Sequence, residues 1–264
     1  MRHAVALIGY GEAGQTFLRA GKWNPRIFDR QMVGRPGLCH SAAEALAGAT
    51  VALSLVTADQ ALAAAHVADG LDQGAFWLDM NSIAPQTKQA AATVIAACGG
   101  RYVDVAIMAP VNPAALAVPL LVSGPDVAEA CTLLRALGFK DVKDVGLQIG
   151  RASTIKMVRS VIVKGSEALT AECLEAAERA GVTDAVLDSL GAEWRNRADY
   201  ILDRMILHGR RRAAEMDEVV TTLEALGVEP LMSRGTAIRQ RAIGQRDLTP
   251  VPVGLAAKLQ SLAS

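Results

Sequence analysis

The first 148 residues alternate short apolar or β-branched runs with alanine-rich stretches of helical periodicity. Several of the runs are continuously apolar, which is typical of strands that are covered on both faces of a sheet. Strand–helix alternation of this length predicts an α/β fold with a doubly wound, mostly parallel sheet of the Rossmann type. The predicted strands lie at 4–9, 26–29, 51–56, 76–80, 102–108, 120–124 and 141–146.

The pattern changes close to Gly150. From Arg151 onward the sequence has helical periodicity and almost no strand signal, and one of its helices is expected to break at Gly209. We therefore expect two domains, an α/β domain at 1–148 and an all-α domain at 149–264.

A glycine motif directly follows the first predicted strand and opens a predicted helix. Gly9 permits a tight turn, Gly11 lets a pyrophosphate approach the backbone, and Gly14 allows close helix–strand packing. The helix N-terminus then offers free N–H groups to the phosphates. The motif predicts a dinucleotide site, and the alternative is a tight turn with no ligand. The predicted cofactor-binding residues are Gly9, Tyr10, Gly11, Glu12, Ala13, Gly14, Asp29, Arg30, Val56 and Thr57.

Asp29 ends the second predicted strand, 20 residues after Gly9. An acidic residue at this spacing hydrogen-bonds the adenosine ribose of NAD, and its charge would repel the 2′-phosphate of NADP. Arg30 leaves the choice between NAD and NADP open, because it could stack on adenine or reach a 2′-phosphate. Asp29 therefore favours NAD.

A second polar cluster, LDMNSIAP, lies at the C-terminal end of the fourth predicted strand. Ligands of open α/β sheets bind outside the carboxyl ends of the strands. Asn81 and Ser82 could donate hydrogen bonds to a ligand carboxylate or hydroxyl, or could cap the next helix, and the two roles are compatible. We interpret Asp79 as structural.

Lys156 lies on a predicted helix that begins after Gly150. At 3.6 residues per turn, Lys156, Ser160 and Glu167 share one face, and Val158 and Ile162 lie toward the opposite side. Taken alone, this segment indicates an amphipathic helix with a solvated polar face.

The glycine loop, the Asp-x-Asn-Ser-x-x-Pro stretch at 79–85 and Lys156 occur in an order and at a spacing that resembles the β-hydroxyacid dehydrogenase superfamily. Its members include 3-hydroxyisobutyrate and 6-phosphogluconate dehydrogenases, and the resemblance covers the whole chain. It implies an NAD(P)-dependent oxidoreductase that acts on a small hydroxy acid or a related alcohol or carbonyl compound, with a carboxylate expected on the substrate. Lys156 would be the catalytic acid or base, and Asn81 and Ser82 would contact the substrate. It also implies a homodimer formed through the helical domain. A lysine suits proton transfer near neutral pH only if its pKa is lowered.

Two departures from the family pattern concern the substrate. Met108, Ala109 and Pro110 stand where relatives have a carboxylate-binding Ser-Gly-Gly, and Ser160 replaces an asparagine. We hypothesise that Arg159 binds the substrate carboxylate instead. Imine or amine reduction and a cofactor-binding sensor without turnover remain alternatives. The predicted substrate-binding residues are Asn81, Ser82, Arg159, Ser160 and Met108.

The charge balance and the cysteines argue against several other classes of protein. The 27 basic and 27 acidic residues cancel, so no electrostatic argument favours nucleic acid or an anionic membrane. The four cysteines form no CxxC pair, which argues against a zinc site or a disulfide framework. No apolar run reaches the roughly 20 residues of a membrane span. We expect a soluble, cytoplasmic protein without a metal.

Overall fold

A computed structural model describes residues 3–263 of the chain. They divide into two compact units, of which the first ends at Lys156 and the second begins at Met157.

The first unit contains one seven-stranded sheet, and each predicted strand is present in it. The strands are β1 (Val5–Ile8), β2 (Arg26–Phe28), β3 (Val51–Ser54), β4 (Phe76–Asp79), β5 (Arg101–Ile107), β6 (Leu120–Ser123) and β7 (Val142–Asp144). Their order in the sheet is β2-β1-β3-β4-β5-β6-β7. Only the β5–β6 pair is antiparallel. The predicted mostly parallel sheet is confirmed.

Helices cover both faces of this sheet. They are α1 (Glu12–Ala20), α2 (Ala42–Leu46), α3 (Ala61–His66), α4 (Pro85–Ala97) and α5 (Val127–Ala136), with short 3-10 turns at Ala58–Gln60 and Ala115–Ala117. Successive residues of a strand point to opposite faces. Leu7 accordingly belongs to one core cluster with Phe17 of α1, and Ile8 belongs to another with Leu46 of α2. Two cores on two faces confirm the doubly wound architecture.

The described part of the second unit is entirely helical, as predicted. The helices are α6 (Arg151–Ala180, which begins in the first unit), α7 (Thr183–Leu190), α8 (Trp194–Ala225), α9 (Leu231–Gly244) and α10 (Leu255–Ala263). The expected break at Gly209 is wrong, because α8 continues through it. A Cβ atom at Gly209 would lie 2.4 Å from the main-chain oxygen of Gln240. The glycine therefore permits α9 to cross α8 closely.

Helix α6 presents its polar face to the interior of the second unit, so the solvated polar face that this segment taken alone indicates is not found. Ser160, Lys164 and Glu167 are buried, whereas Ile162 on the opposite side is 73% exposed. Charged partners from α8 make this arrangement possible. Lys164 forms a 2.8 Å ion pair with Glu215, and Glu167 pairs with a buried arginine of α8 and a glutamine of α9. Buried charges are tolerated when they are paired in this way.

None of the helices in the described residues is both long enough and apolar enough to cross a membrane.

Candidate active site

The strand order predicts a ligand crevice at the carboxyl ends of β1, β3 and β4. The chain places β2 on one side of β1 and β3 on the other, and ligands of doubly wound sheets bind where the order reverses in this way. Three predicted segments follow the ends of these strands. They are the loop at 9–14, the Val56–Thr57 pair and the Asn81–Ser82 pair.

Two glycines of the loop at 9–14 are required by its packing. Gly9 has φ +96°, a conformation that side chains disfavour, and its N–H donates to the Phe28 main-chain oxygen at 2.8 Å. A Cβ atom at Gly9 would lie 2.4 Å from the Leu55 oxygen. A Cβ atom at Gly14 would lie 2.7 Å from the Gly9 oxygen. These contacts fix the turn tightly against β3 and α1.

Gly11 has a different environment, because a Cβ atom there would meet nothing within 4 Å. Gly11 is the N-cap of α1, and no side chain caps this helix end. The main-chain N–H groups of a helix N-terminus and the helix dipole favour an anion at such a position. The open space beside Gly11 and the uncapped helix end fit the pyrophosphate of a dinucleotide.

The Asp29 carboxylate is hydrogen-bonded to the glycine loop. Its Oδ2 accepts the Tyr10 N–H at 2.7 Å, and its Oδ1 accepts the Gln31 N–H at 2.9 Å. A second carboxylate, Asp59, lies nearby. Hydrogen bonds from the Thr57 and Gln60 side chains, with a smaller effect of the Arg30 charge, lower the pKa of Asp59. The Asp59 carboxylate therefore lies within range of the Arg30 charge.

Asn81 holds the ends of β3 and β4 together. Its Oδ1 accepts the Val56 N–H at 2.7 Å, and its Nδ2 donates to Ser54 Oγ at 2.9 Å and to Asp79 Oδ1 at 2.8 Å. Both amide hydrogens are thus used within the protein, and the residue is only 3% exposed. The side chain sets the position of the Val56–Thr57 segment.

Ser82 has a buried hydroxyl with no hydrogen-bond partner among the described residues. Helix α4 begins at Pro85 with Ala84 at its N-cap and no capping side chain, so the predicted capping by Asn81 or Ser82 is wrong. Buried hydroxyl groups in proteins are almost always paired, because leaving one unpaired is unfavourable. The Ser82 hydroxyl is therefore suited to a polar group of a ligand.

The segment that replaces Ser-Gly-Gly offers few donors for an anion. The Met108 N–H donates to the Pro119 oxygen at 2.9 Å, and Pro110 has no N–H. Asn112, which sequence reasoning missed, connects this segment to α1. Its Nδ2 donates to Glu12 Oε1 at 3.2 Å, and its Oδ1 accepts from Thr16 Oγ1 at 3.3 Å. The segment is tied to the helix that follows the glycine loop.

Lys156 is the last residue of the first unit and lies partly buried in α6. The first turn of α6 is attached to the sheet, since the Ser153 N–H donates to Asp104 Oδ2 at 2.9 Å and the Ala152 N–H donates to Ser123 Oγ at 3.0 Å. Arg159 and Ser160 follow on the same helix in the second unit, exposed and buried respectively. Asp104 was missed from the sequence, although an acidic residue inside an otherwise apolar strand is a usable signal of a buried partner.

The described residues contain no group of three or more His, Cys, Asp or Glu side chains that could hold a metal ion.

Comparison with known proteins identifies relatives over the full length of the chain. Residues 177–243 match a family model described as a domain of unknown function, DUF1932. The crystal structure of a conserved hypothetical protein from Sinorhizobium meliloti 1021 is 36% identical, with a TM-score of 0.75 over 100% of this chain and 96% of that one. Conserved protein MTH1747, of unknown function, is 30% identical, with a TM-score of 0.68 over 92% and 97% of the two chains. Its structure is described as revealing similarity with 3-hydroxyacid dehydrogenases.

More distant proteins share the fold or part of the sequence. A Mycobacterium tuberculosis 3-hydroxyisobutyrate dehydrogenase, solved with L-serine, is 16% identical and has a TM-score of 0.74 over 100% of both chains. An uncharacterised 28.5 kDa protein of Methanothermus fervidus is 27% identical over 164 residues, which are 61% of this chain. The match spans 62% of the length of that curated relative.

Proposed function

Because the chain belongs to the β-hydroxyacid dehydrogenase superfamily, we propose that it is a nicotinamide-dependent oxidoreductase. Its substrate is a small hydroxy acid or a related alcohol or carbonyl compound. The observation that carries this proposal is the combination of open space beside Gly11 with an unpaired, buried Ser82 hydroxyl. The first accommodates a pyrophosphate, and the second offers a hydrogen bond to a substrate oxygen.

The N–H groups at the start of α1 would hold the pyrophosphate of the cofactor, and Asp29 would contact its adenosine ribose. When bound, the nicotinamide ring accepts or supplies a hydride. Asn81 keeps the Val56–Thr57 segment in place, because its amide is already bonded to Val56, Ser54 and Asp79. Its role is therefore support rather than donation to the substrate.

Lys156 transfers the proton. During oxidation its neutral amine accepts the proton of the substrate hydroxyl, and during reduction its ammonium donates a proton to the carbonyl oxygen. Ser82 donates a hydrogen bond that orients the reacting oxygen. A positioned lysine and a positioned hydroxyl hold the substrate so that hydride and proton leave from adjacent atoms.

The charges around the adenosine end of the crevice support NAD over NADP. The Asp29 carboxylate accepts the Tyr10 N–H, and the Asp59 carboxylate lies close enough to Arg30 for the guanidinium charge to lower its pKa. A 2′-phosphate would bring further negative charge to this group.

The substrate-binding residues are where this chain departs from the family pattern. We propose that Arg159, Ser160 and Met108 contact the substrate, with the Arg159 guanidinium binding a carboxylate as a fork. The engaged Met108 N–H and the missing N–H at Pro110 favour a second candidate, which is reduction of an imine that carries no carboxylate. The two candidates differ in whether an anionic group on the substrate is required.

We also propose that the protein is a homodimer formed through α6. Val158, Ile162 and Leu169 are exposed, and their spacing places them on one stripe of the helix. An apolar stripe on the surface is stabilised when a second copy covers it.

The experiment that tests the proposed function is NADH oxidation measured against panels of keto acids and imines, with wild-type protein and Lys156→Met. Turnover by wild-type protein that is lost in Lys156→Met, with cofactor affinity retained, supports the proposal. Activity on keto acids or on carboxylate-free imines separates the two candidates. Binding of NADH without turnover of any compound would instead indicate a cofactor-binding sensor.

A further inference from the structure

Three charged side chains, from β4, β5 and α4, are buried together in the first unit. The Nζ of Lys88, on α4, donates to the Asp79 main-chain oxygen at 2.7 Å and to Asp79 Oδ1 at 2.9 Å. It also lies 3.3 Å from Asp104 Oδ1. The Lys88 side chain is 0% exposed. Apolar residues of similar volume usually stabilise a core as well as a buried ion pair does, so the stability of the fold alone does not account for this group.

Asp79 is bonded to the loop that carries Ser82. Its Oδ1 accepts the Asn81 N–H at 3.0 Å and Asn81 Nδ2 at 2.8 Å, and its Oδ2 accepts from the Tyr102 hydroxyl at 2.7 Å. Burial, followed by the Asp79 and Asp104 charges, raises the pKa of Tyr102, so this phenol stays protonated and continues to donate. Asp79 thereby fixes the residue that immediately precedes Ser82.

Asp104 is bonded to the helical turn that leads to Lys156. Its Oδ1 accepts from Ser153 Oγ at 2.7 Å, and its Oδ2 accepts the Ser153 N–H at 2.9 Å and Ser123 Oγ at 3.2 Å. A carboxylate at a helix N-terminus also interacts favourably with the helix dipole. Lys156 follows Ser153 by three residues, about one turn, so the anchored turn sets where the lysine backbone lies.

We propose that the Asp79–Lys88–Asp104 triad is a positioning device for the reaction, in which the buried ammonium of Lys88 fixes the loop of Ser82 relative to the helical turn of Lys156. This inference rests on the proposed function. Asp79 and Asp104 occupy paired positions on the adjacent strands β4 and β5, so the sheet register places both carboxylates within reach of one ammonium. None of the three residues touches the substrate, and each acts through a neighbour.

The variant Asp104→Asn tests the proposal with little expected disturbance of the fold. It keeps the shape of the side chain and leaves Asp79 and Lys88 as a neutral pair, so no buried charge loses its only partner. It replaces one of the two oxygens that accept from Ser153 with an amide NH2 group, which can only donate, and it removes the negative charge beside Lys88. Ser153→Ala is a milder second variant, because it removes only the hydroxyl bond. Glu129→Gln is the matched control, since Glu129 is a carboxylate of the same unit that pairs with Arg101 at the surface.

The readout is kcat per cofactor-binding site, with site concentration taken from NADH titration so that unfolded protein does not contribute. We expect a fall of about tenfold or more in Asp104→Asn and a smaller fall in Ser153→Ala, because loosened positioning of a catalytic group lowers the rate of the chemical step. The Kd for NADH should be unchanged, and Glu129→Gln should match wild-type protein. Faster hydrogen exchange at the Ala152 and Ser153 amides should accompany the loss of rate.

Failure of this inference is distinguishable from failure of the proposed function. If wild-type protein turns over a substrate and Lys156→Met does not, but Asp104→Asn keeps the wild-type kcat per site, the triad does not position the lysine. If Asp104→Asn does not fold, the same comparison with Ser153→Ala decides, and an unchanged kcat overturns the inference. If wild-type protein turns over nothing, the proposed function fails and this inference fails with it.

Discussion

Asp104 of β5 and Ser153 of α6 share two hydrogen bonds, although they are separated by 49 residues in the chain. Ser153 donates its N–H to one carboxylate oxygen at 2.9 Å and its hydroxyl to the other at 2.7 Å. Asp104 therefore caps the N-terminus of α6 from the sheet, because it accepts a main-chain N–H of the first helical turn. This relationship attaches the turn before Lys156 to the same sheet whose strand ends lead into the glycine loop at 9–14 and the Asn81–Ser82 pair.

Gly9 and Gly11 should respond differently to the same substitution. Gly9→Ala should lower the free energy of unfolding by about 2 kcal/mol or more, because the position has positive φ and the new Cβ would collide with the Leu55 oxygen. Gly11→Ala should change it by less than about 0.5 kcal/mol, since the site is open. Urea denaturation of both variants measures the difference, and equal destabilisation would show that the described turn is wrong.

Asp29 should control the choice of cofactor. Asp29→Asn keeps an oxygen that accepts the Tyr10 N–H but removes the charge that opposes a 2′-phosphate. The ratio of NADH affinity to NADPH affinity should fall by about tenfold, which corresponds to roughly 1.4 kcal/mol. Titration of both cofactors into wild-type protein and the variant checks this. An unchanged ratio would count against Asp29 as the discriminating residue.

Lys258 should make the second unit sensitive to alkaline pH. Burial alone would lower the pKa of Lys258, but hydrogen bonds from its Nζ to Asp199 and Asp203, both at 2.7 Å, raise it overall above 10.5. A raised folded-state pKa gives stability that is complete below the unfolded-state value and is lost as pH rises through the folded-state value. The Tm difference between wild-type protein and Lys258→Met should therefore shrink above about pH 10.5. A difference that stays constant with pH would contradict this account of how α10 is held.

The exposed stripe on α6 should determine the oligomeric state. Ile162→Arg places a charge in the centre of the stripe and should convert a dimer into a monomer in sedimentation experiments. Val253→Arg is the control, because Val253 is also highly exposed but lies outside α6. A wild-type protein that sediments as a monomer at micromolar concentration, or an Ile162→Arg variant that stays dimeric, would rule out this interface.

The parts of the fold that depend on local chemistry could be predicted from the sequence. Continuous apolar runs identify buried strands, and Gly9 and Gly14 are needed wherever a strand turns sharply into a helix. The burial of Lys88 could not be predicted, because its partners come from two strands and only the sheet register brings them together. A lysine on a face shared with Ala91 and Ile95 was nevertheless a signal that this charge is buried.

The orientation of α6 could not be predicted either. Periodicity separates the two faces of a helix but does not tell which face is buried when the neighbouring helices carry the opposite charges. Here Glu215 and Arg212 of α8 pair with Lys164 and Glu167, and the polar face turns inward. Gly209 was ambiguous for a related reason, because a glycine within a helical pattern marks either a break or a close crossing.

Titration of NADH and NADPH into wild-type protein and Gly11→Val tests the central claim most directly. We predict one binding site per chain, with a Kd of about 1 µM to 1 mM, lower for NADH than for NADPH. Gly11→Val should abolish binding while lowering the free energy of unfolding by no more than about 1 kcal/mol, because its side chain occupies the open space beside the α1 N-terminus. Wild-type protein that binds neither cofactor, or a Gly11→Val variant that binds as tightly as wild-type protein, would contradict the account.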